Sequence, residues 1–89
     1  MAYRVELAES AERDLSELDT PPRKRILKFL QQRVAKLENP RSIGQALRGS
    51  PPGGFWKYRV GDYRLIAKIH DDRVLVLVLR NGHRKEIYR

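Results

Sequence analysis

The chain has 89 residues, 40% hydrophobic and 34% charged, which is enough for one small core and leaves no room for a second. With no cysteine, it has neither disulfides nor thiolate metal ligands and suits a reducing compartment. Its formal net charge of +8 is uneven: residues 1–40 carry 8 Lys/Arg against 7 Asp/Glu (+1), residues 41–89 carry 11 against 4 (+7). The second half therefore presents a field that attracts polyanions, nucleic acid before an acidic protein.

In chain order, residues 2–8 alternate, with Tyr3, Val5 and Leu7 against Arg4 and Glu6, and predict a strand. Ser10 is placed to cap a short helix running to about Leu18, with Ala11, Leu15 and Leu18 at helical spacing. Thr20 before Pro21 and Pro22 reads as the cap of a second, longer helix from Pro21 to about Leu37. Its stripe is Ile26, Leu27, Leu30, Val34 and Leu37, and Asn39-Pro40 ends it. Its many cations read as a soluble helix surface. Residues 41–54 form a connector in which SIGQAL makes one helical turn and the rest is turn-rich.

The stretch from Phe55 to Tyr88 carries most of the information. FWKYRV and YRLIAKIH flank Gly61-Asp62, a two-residue loop suited to a primed hairpin turn. With Val60 and Tyr63 as the closing pair, Arg59 falls opposite Arg64, Tyr58 opposite Leu65, Lys57 opposite Ile66 and Trp56 opposite Ala67. Lys57, Arg59 and Arg64 then share one face. Arginines directly opposed across a strand pair repel, a cost that turns into use where the surface meets phosphate. A second turn at Asp71-Asp72 leads into a strand from Arg73 to Arg80. Its inward row is Val74, Val76 and Val78 beside Leu65, Ala67 and Ile69. The other face holds Leu75, Leu77 and Leu79, an apolar edge fit for a partner or a covering tail. Asn81-Gly82 is read as a turn into a short last strand, HRKEIYR. The expected fold is α+β: a small antiparallel twisted sheet against an N-terminal helical hairpin, ordered β-α-α-β-β-β-β, as a single domain over residues 1–89.

The longest apolar run is too short to span a membrane, and charges occupy the N-terminal positions of a signal core, so a soluble cytoplasmic protein is expected. The chain lacks a phosphate-binding glycine loop, a nucleophile elbow and a metal-ligand cluster. What remains is Lys57, Arg59, Arg64, His83, Arg84 and Tyr88. Cleaving RNA through its 2′-OH requires help in deprotonating that hydroxyl, stabilisation of the phosphorane, and protonation of the leaving 5′-oxygen. Cations serve the crowded phosphate, and an aromatic ring can stack on a splayed base. No metal is needed for this set.

MAYRVELAESAERDLSEL, LENPR, LRG, WKYRVGDYRLIAKI and GHRKEIY together resemble the RelE/ParE superfamily of toxin–antitoxin toxins, above all its RelE-type ribosome-dependent mRNA endonucleases. The resemblance implies a microbial-RNase-like fold and cleavage of mRNA in the ribosomal A site, leaving 2′,3′-cyclic phosphate and 5′-OH ends. It implies no cofactor. The implied partners are mRNA on the 70S ribosome and a cognate RelB-like antitoxin with an acidic wrapping segment, through which the complex would sit on operator DNA. By motif, Lys57 and Arg59 match the two basic residues of the family's second strand and Arg64 the arginine after the hairpin. Arg84 matches the arginine implicated as general acid or phosphate clamp, and Tyr88 the terminal aromatic. Arg48, Lys68, His83 and Lys85 are the accompanying RNA-binding candidates, although His83 also reads as a plain polar turn residue. The family's best-known member has a lysine, proposed as the base, where this chain has Arg59. Because arginine holds its proton more firmly, Arg59 is better suited as a clamp, which leaves Lys57 or Tyr88 as the base. The tail is also two residues shorter between the glycine and the tyrosine. Two other readings stay open: a ParE-like inhibitor that binds DNA gyrase without RNA chemistry, and a non-catalytic member that retains only antitoxin binding.

Overall fold

The computed structural model describes residues 3–47 and 54–87, the last two by backbone alone. Among these, the strands form one five-stranded mixed sheet in the order β1-β5-β4-β3-β2. The strands are β1 (Arg4–Leu7), β2 (Gln45–Ala46), β3 (Phe55–Val60), β4 (Tyr63–His70) and β5 (Leu75–His83). Helices α1 (Glu9–Ser16) and α2 (Thr20–Gln32) follow β1, and a one-turn helix α3 (Arg84–Ile87) follows β5. The α+β expectation and the helical pair hold. Strands β2 to β5 pair antiparallel, the expected mode though not the expected set of strands, but β1 enters parallel to β5, with Arg4 beside Leu75 and Leu7 beside Val78. Two helices and three strands intervene between them, ample chain for the crossover that a parallel pairing needs.

Helix boundaries shift from the sequence expectation for local reasons. Ala8, not Ser10, occupies the cap of α1. The Ser10 hydroxyl instead donates to the Leu79 carbonyl at 2.6 Å, because α1 continues along the β5 edge where β1 stops. Asp19, rather than Thr20, caps α2, so Pro21 and Pro22 sit in the first turn, where a missing N–H costs nothing. The α-helix stops at Gln32, earlier than expected, and tightens into a 3₁₀ turn over Val34–Lys36. That tightening keeps Val34 beneath Ile26 and Leu30, all three fully or nearly fully buried.

The core lies between the helices and one sheet face: Ala11, Leu15, Ile26, Leu30 and Val34 meet Tyr58, Val60, Leu65, Ala67, Ile69, Val76 and Val78. The β3–β4 register is as the turn dictates, from Val60 beside Tyr63 to Trp56 beside Ala67, with Gly61 at φ +59°. The second hairpin differs. A 3₁₀ turn over Asp71–Arg73 ends on Val74 in the left-handed region (φ +51°), so Val74 leaves the inward row. A register shift after Ile66 then realigns β5, setting Asn81 opposite Leu65. Asn81-Gly82 is therefore strand, not turn; of the expected last strand His83 still belongs to β5, Arg84–Ile87 form helix α3, and the final two residues lie outside those described. Asn81 is 2% exposed, its amide donating to the Ala11 carbonyl at 3.0 Å. On the outer face Leu75 is buried and Leu77 and Leu79 are half-buried, so the expected apolar edge is partly covered.

Candidate functional site

The outer face of β3 and β4 carries the cations. Arg59 and Arg64 are register partners, and Lys57 lies between Ile66 on β4 and Gln45 on β2. The three line a cavity of about 460 Å³ together with Ile43, Gln45 and Tyr58. Its size falls within the ~300–1,000 Å³ typical of small-ligand sites. Arg64 is turned toward the hairpin: its Nη1 donates to the Gly61 carbonyl at 2.8 Å and the Tyr63 carbonyl at 3.0 Å. The charge repulsion of the Arg59–Arg64 pair is thus relieved on one side by backbone dipoles, and Arg59 stays exposed.

Around the same turn stand further groups. The Arg84 backbone N–H donates to the Asp62 carbonyl at 2.8 Å, and its Nε lies 4.0 Å from Asp62 Oδ1. Both side chains are largely exposed, so the pair is weak and anchors Arg84 through its backbone rather than its charge. Arg25 of α2 reaches the turn as well, since a Cβ added at Gly61 would lie 3.2 Å from its Nη1. His83 is the register partner of Tyr63, their rings edge-to-face at 5.6 Å, and His83 Nδ1 accepts from the Lys85 backbone N–H at 3.2 Å. It is a strand-end residue rather than a turn residue. Lys68 sits further along β4 opposite Phe55, exposed and outside the cavity lining. Lys85 is exposed on α3. Arg48 and Tyr88 lie outside the described residues.

The cavity's second wall was not legible in the sequence. Where SIGQAL is read as a helical turn, the chain makes a bend and then pairs Gln45 and Ala46 with Lys57 and Trp56 as strand β2. Five contacts tie this segment down. The buried Tyr58 hydroxyl donates to the Pro40 carbonyl at 2.6 Å, and Leu47 N–H to the Phe55 carbonyl at 2.9 Å. Arg41 forms a bidentate pair with Asp71 at 3.0 and 2.8 Å, while its guanidinium carbon lies 5.7 Å from the Trp56 ring centre. Finally, Gly44 passes so close to Tyr58 that an added Cβ would lie 3.0 Å from its ring. The one cue is Gly44 itself, the residue type that permits such an approach.

Electrostatics follow this geometry. Burial pushes the Tyr58 phenol up to about 12. The Arg41 guanidinium, and then the Tyr3 hydroxyl donating at 2.6 Å, hold the Asp71 carboxyl below the usual carboxylate range. Together the arrangement sets three cationic side chains along an open cavity on the sheet, a lining whose chemistry suits an anion.

Sequence and structure comparisons agree on its kin. The family model for the ParE toxin of the type II toxin–antitoxin system parDE matches residues 5–88. The toxin RelG of Mycobacterium tuberculosis is 36% identical over 91 residues, covering 100% of this chain and 99% of RelG. The mRNA interferase toxin RelE of Escherichia coli is 34% identical over 90 residues, covering 99% and 92%. Among solved structures, the toxin–antitoxin complex RelBE2 from M. tuberculosis superposes with a TM-score of 0.83 at 29% identity, covering 93% of this chain and 99% of that one. The intact E. coli RelBE complex gives 0.68 at 32% identity, covering 92% and 96%. The chain belongs to the ParE toxin family of type II toxin–antitoxin systems, within the RelE/ParE superfamily, and is a RelE-type toxin.

Proposed function

We propose that this toxin is a metal-independent endoribonuclease that cleaves mRNA in the ribosomal A site by 2′-OH attack and thereby stops translation. The observation that carries the reading is the convergence of Lys57, Arg59 and Arg64 on one cavity. Three cations lining one cavity can hold a phosphodiester and hold it better as negative charge accumulates on the phosphorane, which is differential stabilisation of the transition state. Arg59 and Arg64 act as the clamp. Lys57, the one amine of the three, is the candidate to take the 2′-OH proton, and Arg84 across the Gly61-Asp62 turn braces the leaving 5′-oxygen. Tyr88 is proposed from its sequence position alone, as the ring that stacks on a base. A site without a strong base gains from a ribosome that presents the RNA already in line.

A cognate antitoxin of RelB type, acidic where it crosses the basic face, is the proposed neutralising partner. The names of the RelBE complexes among the structural relatives support it. Operator binding through the antitoxin and action in the cytoplasm complete the proposal.

The test is to induce wild type, Lys57→Ala and Arg84→Ala in cells and map mRNA 5′ ends. Codon-phased 5′-OH ends in the wild type, reduced about 10²–10³-fold in the variants, are expected. Growth arrest with intact mRNA would overturn the reading.

A further inference from the structure

The cavity beside the three cations is larger than a phosphate needs, and its remaining wall is chemically distinct. Gln45 is the register partner of Lys57, so its side chain stands on the same face of the sheet, exposed and beside the cations. Ile43 packs one side against the core and turns the other to the cavity, an apolar surface suited to the flat face of a base. Lys57, Arg59 and Arg64 can hold a phosphate, but they carry no information about sequence. A primary amide does. It offers one donor and one acceptor side by side, the pattern that pairs with the N6 and N7 edge of adenine.

Base reading also demands a rigid reader, and Gln45 sits on a segment that is tied down on both sides. The Tyr58–Pro40 hydrogen bond and the bidentate Arg41–Asp71 pair fix the chain before it, and the Leu47–Phe55 hydrogen bond fixes it after. We propose that Gln45 is a specificity-determining residue: with a phosphate on Lys57, Arg59 and Arg64, a neighbouring base lies over Ile43 and is read by the Gln45 amide, with adenine preferred. The inference rests on RNA as the substrate of the proposed function. It assigns Gln45 no part in bond cleavage.

The experiment measures binding of four uncleavable 2′-O-methyl homotrinucleotides, of A, C, G and U, to wild type, Gln45→Leu and Arg59→Ala. Cleavage of ribosome-bound mRNA is scored in parallel. Wild type is expected to favour the adenine oligomer by at least about fivefold, in keeping with one bidentate base contact. Gln45→Leu should level the four affinities, whereas Arg59→Ala should weaken all four alike. On the ribosome, Gln45→Leu should redistribute the cleaved codons. A wild type without base preference, or a Gln45→Leu variant that keeps it, overturns the proposal. Cleavage with an unchanged codon distribution in Gln45→Leu does so too, while leaving the endonuclease reading intact. Conversely, adenine preference abolished by Gln45→Leu in a wild type that cuts no mRNA sustains the subsite and overturns the endonuclease.

Discussion

Tyr58 joins the core to the site. Its ring is buried, edge-on to Phe29 at 6.0 Å, and its hydroxyl holds Pro40, so one side chain sets the distance between the sheet and the connector that walls the cavity. Replacing it with phenylalanine keeps the packing and strands the Pro40 carbonyl, which should cost about 1–3 kcal/mol in chemical denaturation. The phenol adds a pH signature. Its folded pKa is raised from the ordinary 10.0 to about 12. The folded state thus binds this proton more tightly than the unfolded state. The stabilisation that results is complete below pH 10 and is lost as pH rises through about 12. The Tyr3 phenol is also raised, by its hydrogen bond to Asp71, so absorbance titration is compared in a Tyr3→Phe background. A late-ionising phenol should remain there and vanish when Tyr58→Phe is added; its persistence in the double variant would remove the assignment.

The connector between α2 and β3 is held by a latch that joins elements distant in sequence. Asp71, at the start of the β4–β5 turn, receives Arg41 from the connector and Tyr3 from the residue before β1. Both partners favour the charged carboxylate and lower its pKa, so the stabilisation is present above the ordinary carboxylate value near ~3.9 and is lost as pH falls through the lower folded value. Asp71→Asn should therefore melt a few degrees below wild type at neutral pH, and the gap should close as the pH drops under about 4. A gap that persists into acid would mean the latch works by packing, through Arg41 on Trp56, and not by charge. The side chain of Asp71 is 61% exposed, so solvent screening keeps the effect small.

The chain as a whole is a strong cation of formal net charge +8, and Lys57, Arg59 and Arg64 place part of that charge on the outer face of β3 and β4. Association with single-stranded RNA should be steeply salt-dependent. If Lys57, Arg59 and Arg64 each neutralise a phosphate, they contribute about 2 to the slope of log K against log salt, and each alanine substitution removes about 0.7. Binding titrations from low to moderate KCl measure this directly. A slope unchanged in Arg59→Ala would place the phosphate elsewhere on the surface.

The β3–β4 hairpin was legible in the sequence down to its register, since a Gly-Asp loop and strict alternation leave one pairing that buries Tyr58 and Leu65 while turning Lys57 and Arg59 to the opposite face. The face that carries the cations follows from that alone. So do the helices' buried stripes, because period 3.6 is a local property. What the sequence does not carry is anything that depends on a partner far away in the chain. The parallel docking of β1 on β5 and the bulge that turns Asn81 inward are both decided by neighbours more than sixty residues removed. Strand β2 is the telling case. Two residues are too few to show a period, and Gln45 and Ala46 become strand only because the β3 edge, Tyr58 and the Arg41–Asp71 pair wait in space to receive them. The cationic half of the cavity is written in local alternation; its other wall exists only once the chain has closed on itself.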